Sequence, residues 1–216
     1  MANKEYVWEV PVRLTHWVNV LSILALIITG FYIANPYILA SSETSMIMGS
    51  MRFIHFVSGY LLAVGLFVRI YWWFAGNKYA RLDQFLPMSD ERCKNLTGTT
   101  QFYCFMKNDM PHYAGHTGLA GITYFALFVL FIVEIQTGFG LYAQSHDGGI
   151  FWTLMGGWLV PAGSSGSGVR LVHHLIMWCV IVYLIAHIYI VIHNHLIEKN
   201  GLLMSIFNGY KTMGDK

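Results

Sequence analysis

Four long stretches of the chain, residues 14–34, 53–75, 117–143 and 169–192, are apolar on every side of a helical projection. Each reaches or exceeds the ~20 residues that ~30 Å of hydrocarbon requires of a helix. Glycine, serine and histidine are the recurrent exceptions. Strands of a membrane barrel would instead appear as short segments of alternating hydrophobicity. The pattern predicts an all-α integral membrane protein, a four-transmembrane-helix bundle.

The polar segments between these runs differ in kind. Residues 35–50 form a short connection opened by Asn35-Pro36. Residues 76–116 form the longest connection, and its middle, 96–107, mixes apolar and polar residues as a segment lying on a membrane surface would. Residues 144–168 are rich in glycine, serine and aromatics, with Gly148-Gly149, Phe151-Trp152 and Gly156-Gly157-Trp158. Exposed aromatics there favour a docking surface or an interface anchor over a plain linker. The whole, 1–216, is expected to be one membrane domain. Lys4, Glu5, Glu9 and Arg13 precede the first run and no small-residue cleavage site follows, so that run is expected to be retained as a span.

Composition agrees. Of 216 residues 56% are hydrophobic and 11% charged, against roughly a quarter charged in soluble domains, and the mean hydropathy is +0.50. The net charge of +2 matters less than its distribution. With the N-terminus inside, eleven basic residues fall on the inner side, among them Lys78, Arg81, Arg92 and Lys94, and only Arg52 and Arg170 fall outside. The positive-inside rule then puts both termini in the cytoplasm. The basic residues report topology, and no nucleic-acid partner is expected. Cys93, Cys104 and Cys179 lack C-x-x-C spacing, which argues against a disulfide framework or a zinc site.

Three histidines at the edges of apolar runs follow an arginine by three residues: Arg13/His16, Arg52/His55 and Arg170/His173. Positions i and i+3 share a helix face, so each pair sets a cation beside an imidazole. A haem near a membrane surface needs that chemistry, an imidazole for the iron and a cation for the propionates. His187 follows His173 by fourteen residues, which returns to within about 40° of the same face at a displacement of roughly 21 Å. With helices one and three running outward and two and four inward, His55 and His173 share the outer depth. His16 and His187 share the inner one. Two bis-histidine haems, with Arg52, Arg170 and Arg13 at their propionates, follow from this pairing. Arg13 also serves orientation, whereas Arg52 and Arg170 stand against the charge trend. His174 is about 140° from His187 on the helix and fits less well than His173. His193 and His195 fall beyond the hydrocarbon, and His112 and His146 fall in connections. A metal transporter would want carboxylates or thiolates at the histidine depths, and the sequence places none there.

Two further features stand out. Thr29-Gly30-Phe31 and Thr137-Gly138-Phe139 recur near the outer ends of helices one and three, where small residues let helices or a flat macrocycle approach the backbone. Glu134 is a carboxylate inside helix three. A hydrogen-bonded structural role is preferred over a proton relay because it lies in the outer half.

At these residues the chain resembles the b-type cytochrome subunit of membrane-bound nickel–iron uptake hydrogenases and, more distantly, the gamma subunit of respiratory formate dehydrogenase. The resemblance rests on Val10-Pro11-Val12-Arg13-Leu14-Thr15-His16-Trp17, Met51-Arg52-Phe53-Ile54-His55-Phe56, Gly115-His116, Thr137-Gly138-Phe139, residues 169–178, His187-Ile188-Tyr189 and Asn208-Gly209-Tyr210-Lys211. It implies two haem b groups in a multi-pass protein of the bacterial inner membrane. It also implies partners on the outer face, a small iron–sulfur and a large nickel–iron hydrogenase subunit. Electrons would pass inward to a membrane quinone, menaquinone ahead of ubiquinone, at a site including Tyr113, Gly115 and His116. Thr117-Gly118 stands where the family segment usually has Asn-Pro. The chain lacks the cysteines a nickel–iron centre needs, so hydrogen activation would belong to a partner and quinone reduction to the complex. The competing expectations are the same role for another external donor such as formate dehydrogenase, and a non-redox haem or metal carrier.

Overall fold

The computed structural model describes residues 3–37, 46–109, 111, 113–144, 149–150, 152–162, 166–198 and 200–213. His112, His146 and parts of the 144–168 connection lie outside the described residues. In chain order the elements are β1 (Asn3–Tyr6), α1 (Val10–Ala34), α2 (Ile47–Ala75), a 3₁₀ turn (Leu82–Gln84), α3 (Asp90–Tyr103) and α4 (Gly118–Ala143). A π-turn (Trp152–Gly156), α5 (Gly157–Ala162), α6 (Gly166–Glu198), α7 (Leu202–Asn208) and β2 (Tyr210–Met213) follow.

Helices α1, α2, α4 and α6 are long and apolar enough to cross a membrane, as the hydropathy pattern predicts. Their large apolar side chains are widely exposed: Leu21 at 67%, Phe67 at 74% and Ile185 at 66%. Such surfaces are matched to lipid, where every backbone polar group must be satisfied within the helix. Helix α4 matches its apolar run to within a residue, and the other three begin earlier or end later than theirs. Helix α1 starts at Val10 with Pro11 in its first turn, where a missing N–H costs nothing. Helix α2 reaches back to Ile47 across Arg52, and α6 runs on through His193, Asn194 and His195. Charge and polarity lower hydropathy without opposing the helix.

Residues 76–116, expected only as a connection, contain α3. Ser89 caps it by accepting from the Arg92 N–H, and Asp90 and Glu91 in the first turn complement its dipole.

Packing groups the chain into two compact units. The first comprises residues 1–13, 69–132 and 178–216. In it β1 and β2 pair antiparallel, Asn3 opposite Met213 and Tyr6 opposite Tyr210. Gly209 turns the chain between α7 and β2 at φ +89°, and its carbonyl receives the Val7 and Trp8 N–H groups at 2.8 and 3.1 Å. A side chain there would be strained by φ and would meet the Tyr6 ring and the Trp8 carbonyl. The apolar core of this unit is Val7, Trp8, Val12, Tyr79 and Ala80, with Trp72 and Ala114 against it. Polar side chains satisfy the irregular backbone around it. Glu9 accepts from Trp72 Nε1 at 2.8 Å and from the Asn77 N–H at 2.7 Å. Arg69 donates to the Ala80 carbonyl, Arg92 to those of His116 and Gln84, and Lys211 to that of Gly115.

The second unit comprises residues 14–68 and 133–177. Tyr32, Leu62, Leu66, Ala143, Val169 and Ile176 are buried in it, and the pairs Phe56/Tyr142 and Tyr60/Phe139 meet at 4.8 and 5.1 Å. Thr15, Ser22, Thr29, Ser58 and Thr137 are among its buried hydroxyl side chains. Thr29 and Thr137 donate to the carbonyls four residues back, Ala25 at 2.6 Å and Val133 at 2.9 Å.

Lys211 is 4% exposed, and its ammonium stands over the Trp8 ring. Burial pushes its pKa down to about 8, with Glu198 opposing. An unfolded chain therefore holds this proton more tightly than the folded one between about pH 8 and the ordinary lysine value, so stability rises with pH across that window. The gain is on the order of 3 kcal/mol. Thermal denaturation from pH 7.5 to 10.5 checks this: the melting temperature of the protein is expected to rise relative to that of a Lys211→Met variant.

Candidate functional site

The two Thr-Gly-Phe triplets turn out to be two copies of one histidine clamp. Thr29 Oγ1 on α1 lies 2.9 Å from His55 Nδ1 on α2. Thr137 Oγ1 on α4 lies 3.0 Å from His173 Nδ1 on α6. Each threonine has its own proton engaged with a helix carbonyl, so its oxygen faces the imidazole as an acceptor. Nδ1 must then carry the ring proton, and the Nε2 lone pair is left to bind a metal. The glycine next in sequence completes each clamp. A methyl group on Gly30 would stand 3.5 Å from His55 Cε1, and one on Gly138 only 3.3 Å from His173 Cε1. A larger side chain would push the ring aside.

One clamp has an extra member. Glu134, one turn before Thr137, brings Oε1 to 3.3 Å from His173 Nδ1, with both side chains 17% exposed. Its Oε2 has no hydrogen-bond partner among the described residues. Helix α1 has Leu26 at the matching position, and there only the backbone carbonyl interacts with His55. His55 also lies within electrostatic range of His173. Arg52 and Arg170 are both exposed, three residues before these histidines.

The first unit holds His187, framed by aromatics. Tyr183 stacks on it at 5.9 Å and 11°, and Tyr124 meets it edge-on at 5.9 Å. Tyr124 also touches His116, at 4.8 Å. His116 is further packed by Trp8 at 4.6 Å and Phe85 at 5.3 Å. Burial holds the His116 imidazole well below the usual histidine range, and the charges of Arg69, Lys211 and Arg92 add to this, so the ring is neutral at physiological pH. Tyr113 donates to Gln84 Oε1 at 3.0 Å and lies under the Arg92 guanidinium. The structure thus gathers Tyr113, Gly115 and His116 on one scaffold and links His116 to His187 through one tyrosine.

The remaining sites read from sequence are placed as follows. His16 is on α1, its ring edge-on to Trp17 at 5.2 Å. Arg13 donates to the carbonyl of Phe207 in the last turn of α7. His174 is turned from His173 by a 6.5 Å ring separation, and His193 stacks on Tyr189. Sequence reasoning treated the Thr-Gly-Phe repeat as a matter of close packing and missed the threonines as histidine partners. The repeat itself was the available signal. Glu134 was expected to be hydrogen-bonded within the bundle; its neighbour is a candidate ligand, so a carboxylate does lie at a histidine depth, contrary to the expectation from the sequence, because α4 and α6 pack with Glu134 facing His173.

A four-span helical membrane protein with two histidines clamped through Nδ1 by threonine, each beside a glycine, is built as a membrane cytochrome b. The chain belongs to the prokaryotic cytochrome b561 family, whose model matches residues 7–209. It is similar to proteins named probable Ni/Fe-hydrogenase B-type cytochrome subunit. That of Cupriavidus necator is 36% identical over 97% of this chain and 88% of its own length. That of Rhodobacter capsulatus is 32% identical, over 97% and 82%. The corresponding hydrogenase 1 subunit of Escherichia coli K12 is 29% identical, over 96% and 90%.

A b-type cytochrome holds haem b, and the clamps fit that group in their chemistry: Nδ1 is held as the protonated nitrogen, the Nε2 lone pair remains to bind iron, and a small residue beside each imidazole lets it keep that orientation. A Gly138→Leu substitution is expected to lower the haem b bound per chain, measured as the pyridine haemochrome. Ala126→Val, at an exposed position of the same helix, should leave it unchanged.

Proposed function

We propose that this protein is the electron-transfer subunit that anchors a nickel–iron hydrogenase to the bacterial inner membrane and delivers its electrons to quinone. The observation that carries the reading is the pair of clamped histidines, His55 and His173, each presenting Nε2. The names of the curated relatives supply the hydrogenase. The basic residues, eleven on one side against two, support cytoplasmic termini, and with that orientation His55 and His173 would lie on the outer side, facing the hydrogenase small and large subunits.

In this reading His55 and His173 ligate an outer haem b, with Arg52 and Arg170 at its propionates. His16 and His187 ligate an inner one, a pairing that rests on their depth in the sequence, with Arg13 beside it. Bound haem supplies a one-electron iron couple that the protein tunes through ligands and burial. Threonines 29 and 137 hold the outer imidazoles in register, and Tyr183 and Tyr124 orient His187.

The quinone, menaquinone before ubiquinone, takes the site of Tyr113, Gly115 and His116. A neutral His116 can hydrogen-bond a quinone carbonyl, and the surrounding Arg69, Arg92 and Lys211 favour charge build-up on its oxygen as electrons arrive. One hydrogen molecule provides the two electrons that a quinone takes up with two protons.

Hydrogen added to anaerobic membranes is expected to reduce the b-type bands, and formate is not. Reduction by formate alone would transfer the role to a formate dehydrogenase. A His187→Ala variant should lose the inner haem signal and quinone reduction, while the outer haem remains reducible by hydrogen. Both haem signals intact would break the pairing.

A further inference from the structure

The two histidine clamps share their threonine and their glycine and differ one turn earlier. Each has a threonine hydroxyl on Nδ1 and a glycine under Cε1. Three residues before the threonine stand Leu26 on α1 and Glu134 on α4. The backbone carbonyl of each of these residues interacts with its histidine, and Glu134 alone of the two adds a side-chain acceptor, 3.3 Å from His173 Nδ1. A polar side chain at one of two matching positions, inside a span where such a group is costly, points to a task for it.

We infer that Glu134 is a positioning residue that lowers the reduction potential of the haem ligated by His173, through the Nδ1–H of that histidine. A second oxygen acceptor polarises the Nδ1–H bond further, which makes Nε2 a stronger donor and favours ferric over ferrous iron. Thr137 sets the orientation and Glu134 sets the electron density. The inference rests on the proposed ligation by His173, and it deepens the proposed function. A lower potential at the donor side steepens the fall toward the inner haem and biases electron flow toward quinone.

The experiment is an optical redox titration of the intact hydrogenase complex in membranes, with low-spin ferric EPR on the same samples. Glu134→Leu makes the second clamp a copy of the first. It is expected to retain haem and to raise the midpoint of one haem by about tenfold in its reduction equilibrium, ~59 mV for a one-electron couple, while the other haem moves much less. The EPR g values report how the axial imidazole planes of the shifted haem lie and should stay close to those of the parent; a merely structural role would turn the His173 ring and move them. Glu134→Gln should shift the midpoint in the same direction by less, and it serves if the leucine variant fails to assemble. An unmoved or lowered midpoint in the variant that assembles overturns the inference, as does an equal shift in both haems. His173→Ala separates the two levels of the argument. Haem content unchanged in that variant removes His173 as a ligand and the proposed function's outer site with it. Haem lost there, with Glu134 variants unshifted, removes the inference alone.

Discussion

Everything at the clamped end of this protein depends on one hydrogen bond made twice, from a histidine Nδ1–H to a threonine that has already spent its own proton on its helix. In a bundle surrounded by lipid an imidazole finds no water to settle its tautomer. The threonine settles it from inside the helix, because back-bonding to Ala25 or Val133 leaves only a lone pair facing the ring. Nε2 is then the one basic atom on offer. The adjacent glycines allow the ring to lie close to the neighbouring helix, so ligand chemistry and helix packing come from the same three residues.

The other unit solves a different problem. Its long loop between α2 and α4 exposes carbonyls that no regular element satisfies, and buried cations take them up: Arg69, Arg92 and Lys211. An unpaired buried carbonyl costs more than the hydrogen bond gains, so the loop is held by long side chains reaching from α2, α3 and β2. Burial keeps His116 neutral, and the charges of those same cations add to it. Structural support and electrostatic setting therefore share residues here as well, and the proposed quinone site inherits a positive surrounding from the need to order a loop.

Much of this was legible in the chain. Four apolar runs became α1, α2, α4 and α6, because hydropathy alone decides which segments lipid accepts. The histidines at their edges stood out because imidazoles are rare and expensive there. What escaped was lateral. Thr29 and Thr137 read as small residues suited to packing, since a threonine gives no sign of which neighbour its oxygen faces. Glu134 read as an isolated carboxylate, and α3 was hidden in a connection whose mean polarity resembles a loop's.

The sequence by itself determined the membrane class, the number of spans and which histidines lie at or within the spans, because each follows from periodicity and burial cost along a single helix. Only the tertiary structure decided that Thr29 meets His55, that Thr137 and Glu134 both meet His173, and that Tyr124 joins His116 to His187. Those contacts connect residues on different helices. Which faces of two helices come together is fixed by packing among all of them, and no one-dimensional pattern records it.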